Sequence, residues 1–414
     1  MPRSAANAGG GTPMKLPTAG EPHLTYCTNI HAGETWGEIR RNVAEHVLAV
    51  KARVGSERPF GVGLRLSGQA AEELAQPREL ESFRDWLGAH GAYVFTINGF
   101  PYGQFHGTRV KEAVYLPDWF DEERVRYTER LGGILAALLP DGVTGSVSTV
   151  PGAFRPRVPS SEDAARMANN MLRVAASFHA LHASTGKVVR LAAEPEPFCH
   201  FETTDETIRY FQEHVFSGDA LARFEAMTGL GRADAEAAAR RHAGVCFDAC
   251  HMAVEFEDPR VGPQRFASAG IGIYKVQLSA GLDVRLSGEE DDAKQALARF
   301  ADDTYLHQVV EHSETGLIRY LDLPEALEAP VAGPRHLRVH FHVPIFRETL
   351  GPFRNTQTYL RELLLLQRDQ PVSDHLEVET YTWDVLPAEY RNEHVVDAVA
   401  REMQWVLDVL DVSR

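Results

Sequence analysis

Residues 244–257, GVCFDACHMAVEFE, decide how the chain folds. Val245, Cys246 and Phe247 make a short apolar run, the mark of a strand buried on both faces, and the run stops at Asp248. His251 comes three residues later, where the next loop opens. A carboxylate ending a buried strand, with an imidazole just past it, suits a pocket for a divalent metal or a polarised substrate. Neither group is left unpaired cheaply, because burying a charge without a partner costs several kcal/mol. A plainer account fits the same residues: Asp248 caps the following helix and His251 is satisfied by backbone.

Similar apolar runs recur on both sides. Residues 23–30, 60–66, 92–97, 143–147, 187–193, 270–278 and 375–383 read as strands alongside the first. Helical spacing of apolar residues fills most of the gaps, over 35–54, 80–90, 121–139, 161–183, 203–241, 356–368 and 391–410. Ser160 or Ser161 is the expected N-cap of the helix at 161–183. Strands separated by helices run parallel, and such sheets are covered on both faces. Eight units of this kind predict an α/β fold, a (β/α)8 TIM barrel with its active site at the C-terminal strand ends.

An open doubly wound sheet is the alternative, but GVGLRLSG at 61–68 lacks the G-x-G-x-x-G spacing of a dinucleotide fingerprint. The acidic stretch around 285–335 is expected to be an insertion between strands seven and eight, with a helix near 292–300 and a small hairpin. LRVHFHVPIF at 337–346 reads as a further, lid-like strand. Residues 1–20, rich in Gly, Ala and Pro, are expected to be a loose leader, leaving 21–414 as a single barrel domain.

Composition narrows the partners. A net charge of −16 over 414 residues argues against a nucleic-acid groove and against an anionic membrane surface. Four cysteines, Cys27, Cys199, Cys246 and Cys250, are too few for a disulfide framework in so long a chain. No apolar run reaches the ~20 residues of a membrane span, so a cytoplasmic protein with no membrane insertion is expected. A small-molecule metabolite is the expected partner, and other proteins remain open.

In a barrel, polar residues at strand ends meet at one mouth although they are far apart in sequence. Glu194 and Glu196 end the fifth strand, Asp248 the sixth and Gln277 the seventh, while Glu379 lies in the last. Oxygen-rich ligation with an amide or imidazole suits Mn2+, Mg2+, Fe2+ or Zn2+. Glu194, with Glu196 competing for the same role at the end of strand five, and Glu379 are the candidate acid–base pair, and Glu194, Glu196, Asp248, Gln277 and Glu379 the candidate ligands. Each also has a bland account as a solvated turn, a core hydrogen bond or a helix-facing charge. Alternation in VHFH puts His340 and His342 on one side of a strand; His342 is a candidate extra ligand, and His340 is expected on an exposed face. His251, His342, His31, His106, Arg65 and Asn98 lie near the same mouth as candidate substrate contacts.

Taken in order, HLTYCTNIHAGETW, INGFPYGQFHG, LAAEPEPFCHFE, GVCFDACHMAVEFE, IYKVQLSAGL and LEVETYTWDVLP resemble the EboE family of metabolite-traffic proteins, within the xylose-isomerase-like TIM-barrel superfamily. The resemblance covers about 23–410. It implies a metal set at Glu194, Asp248, Gln277 and Glu379, proton shuttling by the two glutamates, and His251 on the substrate. Gln277 departs from the pattern, standing where a histidine is usual. The family context implies handling of a secondary-metabolite precursor for processing or export. Three functions follow as expectations: a metal-dependent isomerase or epimerase; a non-catalytic carrier of the same pathway that holds a metabolite or docks partner proteins; and a multi-metal phosphoesterase using His31, His106, His251 and His342.

Overall fold

The computed structural model describes residues 15–55, 58–287, 292–314, 316–330 and 333–412. Most of the expected leader therefore lies outside the described residues. Eight strands form the central sheet: β1 (His23–Tyr26), β2 (Phe60–Arg65), β3 (Ala92–Asn98), β4 (Gly145–Thr149), β5 (Val189–Ala193), β6 (Ala243–Asp248), β7 (Ile273–Leu278) and, last in the chain, β14 (His375–Val378). Their order is β1-β14-β7-β6-β5-β4-β3-β2, with every ladder parallel. Residues on both faces are buried, as the apolar runs require: Val245 and Phe247 of β6 are 0% and 1% exposed.

Closure of the barrel falls to the seam between β1 and β2. There the ladder is reduced to a single parallel bridge, Cys27 to Gly63. Side-chain hydroxyls take over from the missing backbone bonds. Thr25 Oγ1 donates to the Gly61 carbonyl at 2.8 Å and accepts from Gly63 N–H at 2.9 Å, and Thr28 Oγ1 accepts from Arg65 N–H at 2.9 Å. Gly63 also has to be glycine, since a Cβ there would meet Glu377 Oε1 at 2.0 Å and the Tyr26 carbonyl at 2.6 Å.

The helices start where their caps dictate. Thr35 and Glu38 form a reciprocal capping box at Trp36–Asn42, and Ser160 accepts from Asp163 N–H at the head of Ser161–Thr185. Among the described residues, no helix is long and apolar enough to cross a membrane.

Between β7 and β14 the chain builds a second, antiparallel sheet. Its strands are β8 (Leu282–Leu286), β9 (Val309–Ser313), β10 (Gly316–Tyr320), β11 (Arg335–Val339), β12 (Thr349–Leu350) and β13 (Phe353–Asn355), in the order β10-β9-β11-β8-β13-β12. The run expected as one strand at 337–346 ends at Val339. Beyond it the backbone leaves the ladder: His340 N–H goes to the Gln308 carbonyl and Val343 N–H to the Ala280 carbonyl. This excursion turns His340 and His342 inward, so the exposed position expected for His340 is corrected to one of 3% exposure. Likewise the last barrel strand stops at Val378, short of the expected 383, because Tyr381–Asp384 coils into a 3-10 turn.

Candidate metal centre

Strand period two sets what points inward. On β7, Lys275 and Gln277 share the inner face; beside them on β14 and just past it, so do Glu377 and Glu379. Asp248 lies across the ladder from Gln277, and Gln277 from Glu377. Lower in the barrel, Lys275 Nζ meets Glu377 Oε2 at 2.5 Å and Ser148 Oγ at 3.2 Å, both charged residues being wholly buried. Burial works against charge on Lys275, but Glu377 outweighs it and holds the ammonium above its ordinary range.

Above this pair stand the acids. Ligand atoms of Glu194, Asp248 and Glu379 lie within 4.8 Å of one another, all buried. Burial first, then Glu379 and Asp248, push the Glu194 carboxyl well above the usual carboxylate range; burial, Asp248 and Glu377 do the same to Glu379. Asp248 is raised too, mainly by burial. Glu379 is oriented through one oxygen: Asn29 and Asn98 donate to Oε1 at 2.8 and 2.9 Å. Among the described residues, no side chain bonds the Glu194 carboxylate.

Asp248 divides its two oxygens between two jobs. Oδ1 accepts from His251 N–H at 2.8 Å, capping Ala249–Val254, and from Ser279 Oγ at 2.9 Å. Among the described residues, Oδ2 is buried without a hydrogen-bond partner. The helix cap is thus made by Oδ1 alone, and Oδ2 is left over from it. Unpartnered as well are both amide atoms of Gln277 and Nε2 of His342, whose Nδ1–H donates to the Glu379 carbonyl at 2.9 Å. Three carboxylates within 4.8 Å of one another, with the unpartnered Asp248 oxygen among them and the unpartnered Gln277 amide across the ladder from Asp248, make an oxygen-rich donor set that fits a divalent cation.

Glu196 does not compete with Glu194 for this cluster. It belongs to another, with His251 and His340, whose ligand atoms also lie within 4.8 Å of one another. Burial raises the Glu196 carboxyl to about 8 although Tyr115 Oη donates to it at 2.8 Å. Burial lowers His251 to about 3 and His342 to about 4, keeping both rings neutral at pH 7. A narrow cavity of about 50 Å³ opens beside both clusters, with Glu194, Glu196, His251, His340 and Glu379 in its wall. Phe105, Tyr305 and Tyr381 cap it, their rings 4.9–5.4 Å apart.

The remaining sequence candidates are engaged elsewhere. Arg65 is spent on Glu34 and on the carbonyls of Gly33, Pro101 and Gly103, pinning loops together. His31 stacks on His46 at 4.3 Å and bonds Tyr26 Oη. His106 bonds the Asn29 carbonyl at 2.7 Å, behind the cap. Neither histidine belongs to a metal-binding group among the described residues. The four imidazoles expected for a phosphoesterase therefore do not converge; only His251 and His342 approach each other, at 5.8 Å between ring centres. Asn98 positions Glu379 rather than lining the cavity. Lys275, Glu377, Tyr115, Gln308 and His340 were not singled out as site residues from the sequence.

A scan against protein-family models gives no match, and a search of curated proteins gives none. Solved structures with a similar course of chain include a xylose isomerase-like TIM barrel protein from Mycobacterium smegmatis in complex with magnesium, at 12% identity and TM-score 0.48, covering 95% of this chain and 98% of that one. An L-ribulose 3-epimerase is similar at 12% identity and TM-score 0.46 over 94% of each chain. The IOLI protein with a binding zinc atom is similar at 13% identity and TM-score 0.43, over 94% of this chain and 98% of that one. Their ions and substrates are properties of those proteins.

Proposed function

We propose that the chain is a metal-dependent, isomerase- or epimerase-like enzyme acting on a small polyhydroxylated or carbonyl-bearing metabolite. The observation that carries this reading is the buried meeting of Glu194, Asp248 and Glu379, with the lone pairs of Gln277 and His342 left unpartnered around it. These residues would hold a divalent cation, Mn2+, Mg2+, Fe2+ or Zn2+. When bound, the cation supplies Lewis acidity toward a carbonyl or hydroxyl oxygen. Glu194, free of other hydrogen bonds, takes a proton from the substrate carbon. Glu379, held by Asn29 and Asn98, returns one, and burial with the neighbouring acids raises both carboxyls above their ordinary range, the direction that favours proton exchange over permanent ionisation. His251 and Glu196 in the wall orient hydroxyl groups. A sugar-sized substrate needs the aromatic cap over this narrow space to shift.

The finer setting, a precursor handled in the cytoplasm by a pathway with other proteins, is proposed from the sequence motifs alone. The chemical reading is tested by exchange. Metal-loaded protein is incubated in deuterated water with a panel of ketoses and hydroxycarbonyl compounds, and carbon-bound deuterium is followed by NMR. We expect incorporation into at least one compound, reduced by roughly 10²–10⁴-fold in Glu194→Gln, the usual worth of a positioned base. Binding without exchange in the wild type would instead make the protein a carrier.

A further inference from the structure

Around His251 and His340 the hydrogen bonds run in a fixed sense. His251 Nδ1 lies 2.9 Å from the Pro195 carbonyl, an acceptor only, so this nitrogen carries the proton and Nε2 is left as a lone pair. His340 Nδ1 lies 2.7 Å from Gln308 Oε1. That amide cannot be turned over without loss, because its Nε2 donates to the Pro197 carbonyl at 3.2 Å and to Tyr115 Oη at 2.8 Å. Tyr115 in turn spends its own proton on Glu196. Hence His340 also carries its proton on Nδ1, and its Nε2 is a lone pair. The two Nε2 atoms face each other at 3.0 Å. Two lone pairs at that distance repel; something electropositive belongs between them. Nitrogens sharing one ion at 2.0–2.1 Å stand roughly 3–3.4 Å apart.

From this geometry we infer a second cation site, formed by His251, His340 and Glu196, that takes a borderline metal of the Zn2+ class. Two imidazoles and one carboxylate favour Zn2+ over Mg2+ or Ca2+, in contrast to the oxygen-rich cluster beneath. Gln308, Pro195 and Tyr115 act as positioning groups that fix the tautomers and the carboxylate, as partners behind metal ligands do. Gln308 and His340 come from the inserted sheet, so this site exists only when that sheet is docked on the mouth. The inference extends the metal-dependent reading into the same cavity, but it does not need the Glu194–Asp248–Glu379 site to be filled.

The test is zinc stoichiometry on the full chain, stripped of metal, reloaded with Zn2+, desalted and measured by atomic emission, with folding checked by circular dichroism. We expect two equivalents in the wild type, one in His340→Leu, one in Glu196→Gln, and one in Glu379→Gln. Should either variant at the second site fail to fold, zinc-edge anomalous diffraction of the wild type decides, with a peak expected between the two Nε2 atoms. One equivalent in the wild type, lost in Glu379→Gln and kept in both His340→Leu and Glu196→Gln, overturns the inference: the rings then share a proton. One equivalent in the wild type, kept in Glu379→Gln and lost in His340→Leu, would support this site and refute the oxygen-rich one.

Discussion

Replacing Glu379 by Gln is expected to raise the melting temperature of the metal-free protein and to abolish the further rise that Mn2+ gives the wild type. The amide keeps Oε1 for Asn29 and Asn98, so the existing hydrogen bonds survive. It also removes one of three mutually repelling carboxyl groups and presents a donor to lone pairs that lack one. At an effective dielectric of about 20, like charges 4–5 Å apart cost on the order of 3–4 kcal/mol. Partial protonation lowers this, and a gain of about 1–2 kcal/mol is expected. Saturating metal at about 100 times its Kd would add about 2.7 kcal/mol to the wild type, and close to nothing to the variant.

The pH dependence carries the same signature. Glu194 and Glu379 sit well above their ordinary value and Glu196 reaches about 8, so the folded protein binds more protons than the unfolded chain above pH 4.5. Stability contributed by these acids is therefore lost as pH rises from about 4.5 toward 8. His251 at about 3 and His342 at about 4 act oppositely, adding stability as pH rises up to 6.5 and nothing beyond. The window from pH 6.5 to 8 isolates the acids. There, thermal melts of metal-free wild type should move down with pH, and those of Glu379→Gln and of metal-loaded wild type less so, the remaining slope coming from Glu196, Glu255 and Glu402, whose carboxyls burial also raises.

The second large effect is expected at Lys275. Lys275→Met leaves Glu377 buried without its cationic partner, and loss of one member of a buried pair typically costs about 3–5 kcal/mol. The double variant Lys275→Met/Glu377→Met, with similar volumes and no charge, should recover most of that cost. Lys275 also favours the ionised forms of Glu194 and Glu379, so its loss should weaken metal binding and increase the protons released per metal bound. Urea melts of both single variants and the double variant, with calorimetric titration in two buffers of different ionisation enthalpy, measure both effects. A double variant no more stable than Lys275→Met would show that the pair is not what holds the barrel centre together.

Much of the fold was legible because burial on both faces writes parallel strands as apolar runs, and caps such as Ser160 mark where helices start. Asp248, Glu194 and Glu379 stood out because each interrupts or follows such a run. The inner residues below them carried a signal too: K-V-Q at 275–277 and E-V-E at 377–379 place charged or polar groups two apart within apolar strands, which period two turns inward together. His340 was not legible. Its burial depends on the chain leaving β11 at Val339 and folding over the mouth, and V-H-F-H looks the same on an exposed edge. The split between Glu194 and Glu196 was hidden for a similar reason, since residues two apart at a strand end diverge according to loops that come from far away in sequence. Arg65, His31 and His106 lie near the mouth, but Glu34, His46 and the Asn29 carbonyl claim them, contacts that loop sequence does not encode.

The proposed proton transfer depends on three acids sharing one cation, and diffraction tests that most directly. Crystals of the wild-type chain equilibrated with Mn2+ should give an anomalous peak within about 2.0–2.4 Å of carboxylate oxygens from Glu194, Asp248 and Glu379. The same crystals of Glu379→Gln should lose it. A wild-type map with no peak among those three carboxylates, or a peak unchanged in the variant, would contradict the account.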